Sequence, residues 1–135
     1  MSTLWLPRAK RIEKMTKRFV TKDSGKRIGY KSGMKRDVAD GKPRFDLITP
    51  LGQKYEDTLL YRVAMILERG MSKYGYRNWE KANSEEELIR FKASAWRHFF
   101  QYMCGEEDED HLAATIFNLN AIEFLKEKQE KKCQK

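Results

Sequence analysis

The chain has 135 residues, 40% of them apolar and 36% charged, with a formal net charge of +8. That length allows one hydrophobic core and not two, and no apolar run approaches the ~20 residues needed to cross a bilayer. The two cysteines, Cys104 and Cys133, form no CxxC pair, which argues against a disulfide framework or a zinc motif and for thiols in a reducing, cytoplasmic compartment.

The N-terminus shows no apolar leader with a small-residue cleavage site, so no secretory signal is expected. Charge is divided unevenly along the chain. Up to Arg36 there are 12 Lys or Arg against Glu13 and Asp23, a local charge of +10, whereas the remainder carries 16 basic and 18 acidic residues. The expected organisation is a basic, partly extended arm over 1–42, a helical domain over 43–130 and a short frayed tail over 131–135. A basic arm can hold nucleic acid by neutralising phosphates. This one lacks a helix-turn-helix or aromatic-platform pattern, so a solvated tail, or an arm packed on another subunit, is the plainer reading.

Within the arm, Gly25, Gly29, Gly33 and Gly41 interrupt a polar stretch, which predicts extended chain with a short strand around Arg18 to Val20. Thr49 and Pro50 are suited to the cap and first position of a helix. A first helix is expected from about Pro50 or Lys54 to Arg69, with Leu60, Val63, Leu67 and Met71 at helical spacing and Gly70 as its left-handed cap. A loop over Gly70 to Ala82 follows. Ser84 and Glu87 have the spacing of a capping box and open a second helix, on which Leu88, Phe91, Ala95, His98 and Tyr102 share one stripe. Gly105 breaks it.

A third helix should begin within Glu106 to Asp110, where acids suit the helix dipole, and continue past Phe124. From Leu112 to Leu125 its apolar residues point in nearly every direction, so it should be central in the packing. The expected fold is all-α, a small helical bundle, and covering that helix favours a homo-oligomer, a dimer or tetramer.

The strongest local feature is Glu106-Glu107-Asp108-Glu109-Asp110-His111. Glu107, Asp110, Ala114 and Asn118 lie at i, i+3, i+7 and i+11, one face of a continuous helix. An Asn within an apolar helix needs a partner. Clustered carboxylates repel unless protons or a cation intervene, and oxygen-rich clusters suit Mg²⁺ or Mn²⁺. Such an ion neutralises a polyanionic ligand and lowers the pKa of a bound water. His98, alone, reads first as a core histidine; it could equally orient a carboxylate or phosphate, as could Arg97. Glu56, one turn before Leu60, is either a further acid for this site or an exposed one.

The second signal is the loop carrying Lys73, Tyr74, Arg77, Asn78 and Trp79. A base can stack on Trp79 or Tyr74, Asn78 can read a purine edge, and Lys73 or Arg77 would meet phosphate. Alternatively, the aromatics plug the bundle.

Taken together, the segments Gly41-Lys42-Pro43-Arg44-Phe45-Asp46-Leu47-Ile48, Gly70-Met71-Ser72-Lys73-Tyr74-Gly75, Arg77-Asn78-Trp79-Glu80-Lys81, Arg97-His98, and Gly105 to His111 with Leu112 and Asn118 resemble one family. It is the dATP/dGTP diphosphohydrolases common in phage genomes, a branch of the MazG-like all-α nucleotide pyrophosphohydrolases, and the resemblance covers roughly residues 33 to 125. It implies a helical fold, a divalent metal and cleavage between the α- and β-phosphorus. Glu107 and Asp110 look like the ExxD pair of the wider group, and Glu109-Asp110-His111 like this branch's acidic signature. Where that group carries an ExxE pair on the preceding helix, this chain has Arg97 and His98, leaving Glu56, Glu68 or His98 to complete the metal shell.

The resulting expectation is metal-dependent hydrolysis of purine deoxynucleoside triphosphates to monophosphate and pyrophosphate. Glu107, Glu109, Asp110 and His98 would be catalytic, with Glu56 joining the three acids on Mg²⁺ or Mn²⁺. Lys73, Tyr74, Arg77, Asn78, Trp79, Arg97, Asn118 and Arg44 are the expected substrate contacts. The competing expectation is a nucleic-acid-binding accessory protein acting through residues 1–36.

Overall fold

The computed structural model describes residues 22–134. The chain divides after Pro43 into two compact units. The strand expected at Arg18 to Val20 lies outside the described residues.

In the first unit, β1 (Arg27–Gly29) and β2 (Lys35–Asp37) pair antiparallel with Ile28 opposite Arg36. Gly33 adopts φ +85° in the connecting turn, a conformation glycine reaches without a Cβ clash. The Arg27 guanidinium lies 2.8 Å from Asp23 and 2.6 Å from Asp37. Three-residue strands are too short to show alternation in the sequence, which is why extended chain was expected here without this hairpin.

The second unit is all-α. Short 3₁₀ turns at Phe45–Leu47 and Tyr55–Asp57 precede α1 (Leu59–Tyr74). A further 3₁₀ turn, Asn78–Lys81, leads to α2 (Glu85–Met103), and α3 (His111–Cys133) follows. Among the described residues no helix is long and apolar enough to cross a membrane.

The bounds of α1 differ from expectation at both ends. Its cap is Thr58, whose hydroxyl accepts the Tyr61 N–H at 3.2 Å, and not Thr49. Gly52, at φ +80°, keeps the chain out of helix after Pro50. Gly70 sits inside the helix, a cost of about 1 kcal/mol relative to alanine. Gly75, at φ +95°, ends it. Leu60, Leu67 and Met71 remain exposed in the single chain.

The Ser84 capping box forms as expected: its hydroxyl accepts the Glu87 N–H at 3.2 Å, and the Glu87 carboxylate accepts from that hydroxyl at 2.7 Å. At the far end of α2, Gly105 at φ +78° donates to Tyr102 and Glu106 to Gln101, the paired bonds that close a helix on a left-handed glycine.

Helix α3 is the central element. Ala113, Ala114, Ala121, Ile122 and Leu125 on it are buried, and Ile122 and Leu125 meet Leu88 and Ala95 of α2, with Ala82 and Phe91 alongside. Burying a side chain such as Leu125 stabilises by roughly 1.5–3 kcal/mol, and the alanines let neighbouring helices approach closely. The helix continues to Cys133. It starts at His111 with Asp110 as its cap, so Glu107 precedes the helix and does not share the face that Asp110, Ala114 and Asn118 occupy.

Candidate active site

Helix α1, the Asn78–Lys81 turn, α2 and the start of α3 enclose an open cleft of about 1160 Å³. That is somewhat larger than the usual small-molecule site, ~300–1,000 Å³. Acidic and imidazole groups gather at one end, and the Tyr74 to Trp79 segment forms the other.

At the acidic end, Asp110 is held from two directions. Its Oδ1 accepts the Ala113 N–H at 3.0 Å, which caps α3. Arg62 of α1 donates Nε to Oδ2 at 2.7 Å and Nη2 to Oδ1 at 2.8 Å, the forked pairing that fits a carboxylate best. The Arg62 guanidinium, helped by the Ala113 N–H and opposed by burial, holds the Asp110 carboxyl below the usual carboxylate range. Arg62 thereby joins α1 to the start of α3. Sequence reasoning missed it, because nothing local to residue 62 signals a partner 48 positions away.

His111 is the other residue that the sequence reading left without a role. It is 2% exposed, with Nε2 2.7 Å from Asp108 Oδ1 and Nδ1 2.9 Å from Nδ1 of His98. The neutral tautomers satisfying both contacts have His111 donating Nε2–H to Asp108 and His98 donating Nδ1–H to His111. That leaves a lone pair on His98 Nε2, with Arg97 Nη2 at 3.5 Å. Burial, reinforced by the Arg97 charge, lowers the His98 pKa, so its free ring form prevails at pH 7. The bond from His111 holds the Asp108 carboxyl below its ordinary range.

Ligand atoms of His98, Glu109 and His111 lie within 4.8 Å of one another, as do those of Glu106, Asp108 and His111. Carboxylates with neutral imidazoles make a donor set able to hold a divalent ion. Of the acids expected on the metal, Glu109 and Asp110 line the cleft, while Glu107 and Glu56 are exposed and outside its lining.

At the other end, Lys73, Tyr74, Arg77, Asn78 and Trp79 all line the cleft. Trp79 packs edge-on against Phe117 at 5.8 Å and Phe124 at 5.4 Å between centroids, so this aromatic does anchor the turn to α3. Lys128 reinforces the attachment by donating to the Glu80 and Ala82 carbonyls at 2.8 and 2.5 Å. Arg77 has φ +54°, a left-handed conformation uncommon outside glycine, and its guanidinium pairs with Glu80. Tyr74 is 67% exposed.

Asn118 is buried, donates to the Ala114 carbonyl at 2.8 Å and borders the cleft. Arg97 and Arg44 do not line it: Arg97 lies beside Ser94 and His98, and Arg44 pairs with Asp46 at 2.5 Å.

No curated protein and no solved structure matches this chain. One family model does, and it spans the second unit with the acidic end, both histidines and the aromatic-basic segment. With its match over residues 32–134, the chain belongs to the family described as dATP/dGTP diphosphohydrolase, N-terminal.

Proposed function

We propose that this protein hydrolyses dATP or dGTP to the monophosphate and pyrophosphate with a divalent metal, and so controls nucleotide supply. The observation carrying the reading is the juxtaposition, in one cleft, of Asp108, Glu109, Asp110 and His98 with the aromatic-basic segment. A polyphosphate ester needs both halves, one to manage charge at phosphorus and one to hold the base.

Glu109, with the His98 and His111 imidazoles close by, is the proposed centre of the metal site, and Asp108 and Asp110 border it. A cation held there would neutralise phosphate oxygens and acidify a bound water. Mn²⁺ or Mg²⁺ is the expected ion, the carboxylates favouring either. Asp110, occupied by Arg62 and the α3 cap, fixes the backbone on which Glu109 sits. His98 Nε2 offers a proton acceptor at the cleft, its tautomer set by the hydrogen bond that His98 Nδ1–H donates to His111. Tyr74, Asn78 and Trp79 hold the purine, and Lys73 meets the phosphates. Glu107, Glu56, Arg97 and Arg44 keep at most an outer role in this arrangement.

The functional unit is proposed to be a homo-oligomer. Ile89, Trp96, Phe100 and Met103 recur along one side of α2, about a quarter-turn from Leu88 and Ala95, and Trp96 is 69% exposed. An apolar stripe of that kind on a helix fits a second copy of the chain.

The test is release of pyrophosphate from a panel of ribo- and deoxynucleoside triphosphates with Mg²⁺, Mn²⁺ or EDTA. Metal-dependent release favouring dATP or dGTP is expected; release of inorganic phosphate alone would reject cleavage between the α- and β-phosphorus.

A further inference from the structure

Resting on that reading of the cleft, we infer that Arg69 of α1 and Arg90 of α2 grip the phosphate chain from two walls of the cleft. Neither stands out in the sequence, where each is one arginine among many on a charged helix. The structure gives them a common setting.

On α1, Arg62, Arg69 and Lys73 lie at i, i+7 and i+11 and therefore share a face. Arg62 is committed to Asp110 through its fork. Arg69 follows two turns later, about 10 Å along the axis, and lines the cleft. Its charge is felt at Asp110, where it contributes to the lowered carboxyl pKa. On α2, Arg90, Ser94 and His98 lie at i, i+4 and i+8 and all three line the cleft. Arg90 is thus about 12 Å along that helix from His98, displaced toward the same end as Arg69. The two helices present one arginine each, both set back from the acidic cluster toward the aromatic-basic segment.

Two other arginines near the cleft are already neutralised, and Arg97 does not line it. Arg62 pairs with Asp110 and Arg77 with Glu80. Arg69 and Arg90 form no ion pair among the described residues, although Glu86 and Glu87 lie within one turn of Arg90. A guanidinium on each of two walls, with its planar fork uncommitted, suits the oxygens of a bridged di- or triphosphate far better than a single phosphate. With the α-phosphorus at the acidic cluster, a phosphate chain folded back along the two helices would place its departing pyrophosphate between these residues, so they set affinity for chain length and not for the base.

The experiment uses the full chain and its Arg69→Met, Arg90→Met and double variants, each with a matching Arg→Lys form. Steady-state rates with dATP and dGTP are measured beside inhibition by inorganic tripolyphosphate and by the corresponding deoxynucleoside monophosphate. Both positions are exposed, so circular dichroism should show unchanged folding. Each Met variant should raise KM and the tripolyphosphate inhibition constant by about 10-fold or more, the loss expected for a charge-assisted hydrogen bond. Monophosphate inhibition should change by less than about 3-fold, and Lys should restore part of the loss. Met variants that match the parent in KM and tripolyphosphate inhibition would overturn the inference while leaving the hydrolase reading intact. An inactive parent would instead remove the hydrolase reading. Calorimetric binding of tripolyphosphate would then decide the inference alone, with binding lost in the Met variants supporting it and binding absent or unchanged overturning it.

Discussion

The two ends of the cleft are built on different principles. At the acidic end Asp110 and the two histidines around Glu109 are fixed by partners: Asp110 by Arg62 and the α3 cap, His111 by Asp108 and His98. At the loop end one residue, Trp79, is packed against α3, while Tyr74 and Tyr76 stand open to solvent. Chemistry at phosphorus demands precise placement, because a misplacement of about 1 Å can cost ~100-fold in rate. Holding a base asks only for flat faces that can settle onto it. The difference predicts that substitutions at the acidic end lower turnover, and that those at the loop end raise KM.

The largest expected effect is at Glu109. Glu109→Gln removes the charge without changing shape and should lower kcat by roughly 100-fold or more, on the scale of losing one electrostatic stabiliser, with no change in melting temperature. An unchanged kcat would move the metal away from Glu109. Asp110 separates structure from catalysis. Asp110→Asn keeps a good helix cap but loses the charged fork, so α3 should remain folded by circular dichroism while turnover falls at least ~10-fold. Asp110→Ala should additionally lose about 1 kcal/mol of stability with the cap.

At the loop end, Tyr74→Ala should raise KM several-fold, within the ~1–3 kcal/mol of a stacked base, and leave kcat nearly unchanged. A fall in kcat at constant KM would erase the contrast between the ends. The smallest effect lies away from both. Ser84→Ala should cost about 1 kcal/mol in denaturant titration and leave kinetics unaltered. The Ser84 hydroxyl also holds the Glu87 carboxyl below its ordinary range. That contribution is complete above the unfolded value of about 4.3 and is lost as pH falls through the depressed one. The parent and Ser84→Ala should therefore converge in stability on acidification.

What the sequence made legible follows the range of each interaction. The Ser84 box, the Gly105 stop and the central position of α3 depend on neighbours a few residues apart, and they were readable. The start of α1 was not, because Thr49-Pro50 and Thr58 are both competent caps and only Gly52, in its left-handed turn, separates them. The acidic run was visible as a run, but its geometry hinged on where α3 begins. With Asp110 as cap, Asp108 and Glu109 turn toward the cleft and Glu107 does not line it. Arg62 and His111 gain their roles only from contacts made by folding, 48 and 13 residues away in the chain.

The central claim is that this cleft cleaves a purine deoxynucleoside triphosphate with a divalent metal, and pyrophosphate release from dATP and dGTP, with Mn²⁺ or Mg²⁺ and with EDTA, tests it most directly. The account predicts pyrophosphate and monophosphate in equal amounts with metal and none with EDTA. Folded protein that releases no pyrophosphate from either nucleotide with either metal would contradict it.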